Sequence, residues 1–282
     1  MKKIYNYLKK IGLIKYIVFT LMSVFILFPV YWVFKTAITK ESEIFSLPIS
    51  FFPKVLSFEN FINLFKLEGL FRIIMNSLIY AIFPSVISVF LCFLAAYAFA
   101  RIKFRFSNFL IGFLLLSSAL PTVLTLVPLF EIFLKLKLQN TYLGINILII
   151  SSLLPFTVYL LISFIKQIPI AIEEAAIIDG ASTSTIIFKI ILPLSRPVIA
   201  SLLILNFIGG WNEMLFPFIF GFDNSTQPLS VKIAQFSVIY SGTIRPWGLL
   251  NSMSFLMMML PLILAIIFQR QIISGLTQGS LK

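Results

Sequence analysis

Six stretches of almost unbroken apolar sequence alternate with short segments that carry most of the charge, at 16–34, 73–100, 109–133, 142–165, 198–220 and 248–268. A helix needs roughly 20 apolar residues to cross a bilayer, and each stretch meets that length. The pattern predicts an all-α polytopic membrane protein with six transmembrane helices. Short connections leave no room for a soluble domain, so residues 1–282 read as one membrane domain. Pro121 and Pro128 interrupt the third stretch and Pro155 the fourth, where proline frees carbonyls and permits kinks. The segment from Lys35 to Phe71, with Pro48 and Pro53, reads as an outer loop with a short helix around Phe58–Leu67. It serves equally well as a connector or as a docking surface. Gly221 to Pro246 reads as a second outer loop, rich in the turn formers Asp223-Asn224-Ser225, Gln227-Pro228 and Ser241-Gly242.

One polar interruption, residues 168–197, has a different pattern, IPIAIEEAAIIDGASTSTIIFKIILPLSRP. Pro169 suits a first helical turn, and Glu173 and Glu174 lie near the positive end of the helix dipole. Gly180 can take the left-handed conformation that ends a helix, and Ser182 or Thr183 can cap a second one. That second helix should stop near Pro193, which cannot donate the next backbone bond. The result is a protruding elbow of two short helices. Its apolar side, Ile172, Ala176 and Ile177, either sits in a partner's groove or packs on the chain's own domain.

Composition narrows the function. The 282 residues are 60% hydrophobic and carry a net charge of +12. The cations do not form a nucleic-acid face but gather at the ends of apolar stretches, as Lys2, Lys3, Lys9, Lys10 and Lys15, and as Arg101, Lys103 and Arg105. With a cytoplasmic N-terminus, the inner segments hold 13 of the 22 basic residues and three acids, Glu173, Glu174 and Asp179. This is the positive-inside distribution, and six spans then place both termini inside. The first stretch ends in Pro29, Tyr31 and Trp32 rather than a small-residue cleavage site, so it reads as an uncleaved span. The single Cys92 rules out a disulfide framework, and the absence of histidine excludes histidine-ligated metals and histidine acid–base catalysis. No GxxxxGK[ST] loop is present, so ATP phosphates have no such cradle here.

Glu174-Ala175-Ala176, three residues, Gly180, nine residues, Ile190, one residue and Leu192-Pro193 match the EAA signature. Other matches are Asn76-Ser77-Leu78 with Ala95–Arg101, Leu138-Gln139-Asn140-Thr141-Tyr142-Leu143-Gly144, Trp211-Asn212-Glu213, and the tail Gly275-Leu276-Thr277-Gln278-Gly279-Ser280-Leu281-Lys282. Together they resemble the permease subunits of carbohydrate-uptake, maltose-type (MalG-like) ABC importers over nearly the whole chain from about Pro29. The resemblance implies a type I permease fold in a bacterial cytoplasmic membrane. It also implies a second permease, two ATPase subunits and an extracytoplasmic solute-binding protein as partners. ATP and Mg would be held by the ATPase subunits and not by this chain, which would not itself be an enzyme. Coupling to the ATPase would fall to Glu173, Glu174, Ala175, Ala176, Asp179, Gly180, Ala181, Ile190, Leu192 and Pro193. Candidates for the translocation pathway are Asn206, Trp211, Asn212 and Glu213, polar or interfacial groups in an apolar helix. Asn206 reads better as a bond to a neighbouring helix, so Asn212 and Glu213 rank above it. The expected solute is a mono- or oligosaccharide, or a related polyol or glycerol phosphate. A single-chain, ion-coupled secondary transporter is the competing reading.

Overall fold

The computed structural model describes residues 2–239 and 246–277, with side chains over 14–237 and 246–273. Ser241-Gly242 and the last five residues of the tail lie outside this range. The helices are α1 Lys2–Ala37, α2 Glu41–Ile44, α3 Glu59–Phe65, α4 Leu70–Arg101, α5 Ser107–Ala119, α6 Thr122–Lys135 and α7 Tyr142–Ile165. The chain continues through α8 Ile170–Ile178, α9 Thr183–Thr185, a π-helical segment Ile186–Ile191 and α10 Leu192–Leu194. It closes with α11 Arg196–Asn212, α12 Leu215–Phe220, α13 Leu229–Ile239, α14 Trp247–Ile267 and α15 Gln269–Thr277. Four helices (α1 from Ile14, α4, α7 and α14) are long and apolar enough to cross a membrane, and there are up to six spans if each of two bent pairs counts as one.

The expected third span is not one rod: α5 and α6 meet at 100°. Leu120, as the residue before Pro121, is held extended (φ −74°, ψ 131°), and the helix restarts at Thr122. Pro128 and Pro155, by contrast, sit inside continuous helices. The expected fifth span, 198–220, is likewise broken, at Glu213 and Met214. Pro217 has no N–H for the Glu213 carbonyl four residues earlier. That carbonyl instead accepts the Ser230 hydroxyl at 2.7 Å, while the Glu213 carboxylate accepts the Phe216 N–H at 3.1 Å. Residues 221–246, expected as an outer loop, are not all loop either. They contain α13, whose first N–H, at Leu229, bonds to the Ser77 hydroxyl at 2.8 Å.

Two compact units result. One runs through Leu70 and takes in Ile233–Met259; the other holds Phe71–Lys232 and the chain from Leu260. In the first, the Asn60 amide on α3 donates to the carbonyls of Ala37 (3.0 Å) and Thr39 (2.8 Å). The Glu41 carboxylate accepts the N–H groups of Trp247 (2.8 Å) and Gly248 (2.9 Å), which caps the positive end of α14. The segment after α1 is therefore tied to α1 and α14 rather than hanging free.

The second unit has two apolar cores. One is built on Tyr80, Ile145, Ile149 and Phe220, the other on Phe93, Leu161, Ile165, Ile191 and Leu202. Between them in sequence on α4, α7 and α11 lie Ser88, Thr157 and Asn206, all buried. The Asn206 amide donates to Ser88 Oγ at 2.9 Å and Thr157 Oγ1 at 3.0 Å. A polar group in an apolar interior holds helices together only when its bonds are made inside, as here.

Candidate coupling site

The elbow is built as its residues dictate. Pro169 immediately precedes α8, and Gly180 ends it with φ +81°, a backbone that side-chain-bearing residues rarely adopt. The Ser182 hydroxyl accepts the Thr185 N–H at 3.3 Å and caps the second helix. That helix ends at Leu194, one residue past Pro193 and so near where the sequence predicts, and α11 leaves it at an angle of 75°. The proline is tolerated because the turn before it is widened. Leu192 N–H bonds five residues back, to Ile187, which relieves the clash that a proline ring makes in an α-helix.

The elbow is fastened to α4 by a buried polar cluster. Glu173 accepts the Arg101 Nε–H at 2.5 Å and the Tyr97 hydroxyl at 3.0 Å. The Arg101 guanidinium also donates to the Ile168 carbonyl at 2.8 Å. The side chains of Arg101 and Glu173 are only 10% and 8% exposed, so their charges are largely removed from water and compensate each other. Sequence reasoning gave Glu173 a dipole role and treated Arg101 as an inner-turn cation. Their pairing was missed. The available signal was the four-residue spacing of Tyr97 and Arg101, which stacks both on one face of α4.

The other residues expected to couple divide into two sets. Glu174, Ala175, Asp179 and Gly180 are exposed, while Ala181, Ile190, Leu192 and Pro193 are half-buried. Ile172, Ala176 and Ile177, expected to form one apolar side, do not share a single environment. Ala176 packs on the chain's own core, together with Ala181, Ile190 and Leu192, whereas Ile172 and Ile177 are exposed. Ile178, at 86% exposure, is the most exposed large apolar side chain among the described residues. The elbow thus has an anchored side and a bare apolar tip.

The residues expected along a pathway are not gathered in one place. Asn206 lies in the buried triad with Ser88 and Thr157, and Trp211 is buried with its ring stacked on Phe207 at 6.3 Å. Asn212 is exposed, and Glu213 sits half-buried at the break before α12. Further along, the segment after α12 is stitched to α4 and to the turn before α7. Asn76 donates to the carbonyls of Ser225 and Gln227, both at 2.9 Å, and accepts the Tyr142 hydroxyl at 2.7 Å. Asn140 Oδ1 accepts from Asp223 N–H and the Thr226 hydroxyl, both at 3.0 Å. The Ser225 N–H beside Asp223 holds that carboxyl below the usual carboxylate range. These bonds give the Asn-Ser-Leu and Asn-Thr-Tyr-Leu-Gly stretches a structural reason to be where they are.

The family described as "Binding-protein-dependent transport system inner membrane component" matches residues 88–278. The sulfoquinovosyl glycerol transport system permease protein SmoH of Agrobacterium fabrum is 31% identical, over 95% of this chain and 93% of its own. The trehalose/maltose transport system permease protein MalG of Thermococcus litoralis is 34% identical, over 93% of this chain and 94% of its own. A bacterial ABC transporter involved in the import of the acidic polysaccharide alginate has the same fold. One of its chains aligns with a TM-score of 0.79 at 18% identity, over 93% of this chain and 96% of that one. By a family match across well over half its length and relatives aligned nearly end to end, this chain belongs to the inner membrane components of binding-protein-dependent transport systems.

Proposed function

We propose that the chain is one of two permease subunits of an ATP-driven importer that takes a sugar or related polyol from an extracytoplasmic binding protein. The elbow would seat its exposed tip, Ile177 to Gly180, in a groove of an ATPase subunit and carry the groove's motion to α4 through Glu173 and Arg101. ATP and Mg would be held by that subunit. The observation that carries this reading is the elbow itself, anchored on one side by a buried ion pair and bare at its tip. Coupling requires the tip to bind differently in two states of the partner, and a rigid anchor lets that difference reach the membrane helices. The sugar class is supported by the solutes for which the relatives are named, and the cytoplasmic placement of elbow and termini by the distribution of cations.

The test is uptake into proteoliposomes holding this chain, its partner permease and ATPase subunits, with the binding protein and a panel of labelled mono- and oligosaccharides outside. Uptake is expected to require ATP. Gly180→Val should reduce it about tenfold or more, because a β-branched residue is strained at φ +81°. Gly180→Asn should retain most of it, since asparagine tolerates that backbone. Uptake driven by an ion gradient without ATP, or full activity in Gly180→Val, would contradict the proposal.

A further inference from the structure

A cavity of about 520 Å³ opens beside the elbow, between the α4–α5 turn and the start of α8. Its charged lining is unbalanced. Arg101 and Glu173 neutralise each other, which leaves Lys103, Arg105 and Lys166 facing the single carboxylate of Glu174, a surplus of two positive charges. The side-chain ammonium groups of Lys103 and Lys166 make no hydrogen bond or ion pair with any described residue. Ser107 and Asn108, the first residues of the 13-residue α5, also line the cavity, and no side chain caps that helix start. Unpaired cations and a positive helix end therefore converge on one cavity, the arrangement that favours an anionic group with several acceptor oxygens.

The surroundings say where such a group comes from. Ile102 (57%), Phe106 (61%) and Ile170 (57%) are exposed apolar side chains at or near the cavity, and α4 and α5 are apolar segments that end and begin there. A freely diffusing phosphate uses none of this apolar surface, whereas a lipid brings an acyl chain to cover it. We propose that this cavity is a headgroup site for an anionic phospholipid of the adjoining leaflet, held beside the coupling elbow. Only the assignment to the inner leaflet rests on the transport reading; the site itself does not.

The test uses the purified full-length chain in detergent, with dioleoyl phosphatidylglycerol and dioleoyl phosphatidylcholine added in equal amounts and bound lipid counted by native mass spectrometry. Wild type is expected to retain the glycerol lipid about tenfold over the choline lipid. Lys103→Gln/Lys166→Gln is expected to lose that preference, and Lys135→Gln/Lys137→Gln, remote in sequence, to keep it. Both double variants change exposed side chains, and an unchanged melting temperature verifies their fold. Three outcomes would overturn the proposal. They are equal retention of both lipids by wild type, an unaltered preference in Lys103→Gln/Lys166→Gln, and loss of the preference when inorganic phosphate is added at constant ionic strength, which marks a free-phosphate site. A partner ATPase that displaces the glycerol lipid, with acidic residues cross-linking to Lys103, would assign the cations to that protein instead. None of these measurements involves transport, so their failure leaves the importer reading standing.

Discussion

Replacing Arg101 with methionine is expected to destabilise the chain by about 3–5 kcal/mol, because it strands the buried Glu173 carboxylate without its counter-charge. The Tyr97 hydroxyl alone then faces that carboxylate, and one hydrogen bond does not replace an ion pair. The elbow is expected to loosen before the membrane helices do, since its long-range polar anchor is gone while the Leu161, Ile165 and Leu202 core remains. Thermal melts in detergent measure the first effect, and hydrogen exchange across 168–195 measures the second. Arg101→Met/Glu173→Leu should recover much of the loss, because removing both charges leaves nothing unpaired. The pair thus behaves non-additively in a double-mutant cycle. If Arg101→Met costs less than about 1 kcal/mol, the pair is not the anchor described above.

Gly210→Ala is the second change with a large expected effect. A Cβ at Gly210 would lie 2.2 Å from the Tyr80 carbonyl oxygen and 3.0 Å from the Ala81 Cα, both of them backbone atoms of α4. Neither can swing aside as a side-chain end would, so α4 and α11 must separate. Overpacking of this kind costs about 1–3 kcal/mol. The separation also pulls on the nearby Ser88–Asn206 bond, which makes the upper part of that range the expectation. Gly112→Ala is the matched control. Gly112 is helical with nothing within 4 Å of the added Cβ, so alanine there should be neutral or stabilise by up to about 1 kcal/mol. Equal melting temperatures for the two variants would mean that α4 and α11 do not approach as closely as described.

These two sites mark the division between what was legible in the sequence and what was not. Local chemistry was legible. Gly180 ends a helix, Ser182 starts one, and Pro121 prevents one, each through its own backbone or side chain, so the elbow and most helix positions follow from the chain read residue by residue. Contacts between distant residues were not. The spacing of Tyr97 and Arg101 aligns the two on α4, but it does not say that Glu173, 72 positions from Arg101, lies against them. Nothing in the string places Gly210 against Tyr80. Apolar runs also hide their breaks. Residues 198–220 are hydrophobic enough for one span, yet Pro217 deprives the Glu213 carbonyl of its helical donor and the helix ends at Asn212. In residues 221–246, turn residues around Asp223 obscured the apolar spacing of α13. Among the residues expected along a pathway, Asn206 shows the same limit. Its polarity in an apolar helix was evident, but its occupation by Ser88 and Thr157 is a property of three helices together.

The account rests on the elbow's tip meeting an ATPase, and a single cross-link tests this directly. Ile178→Cys, in a Cys92→Ser background that removes the one native thiol, places a reactive group at the most exposed large apolar position among the described residues. In membranes containing the whole transporter, a short bifunctional reagent is expected to join Cys at this position to a nucleotide-hydrolysing subunit, with a yield that changes when ATP is added. Reaction of this thiol with an impermeant maleimide from the extracytoplasmic face, or cross-linking that never includes an ATPase, would contradict the account.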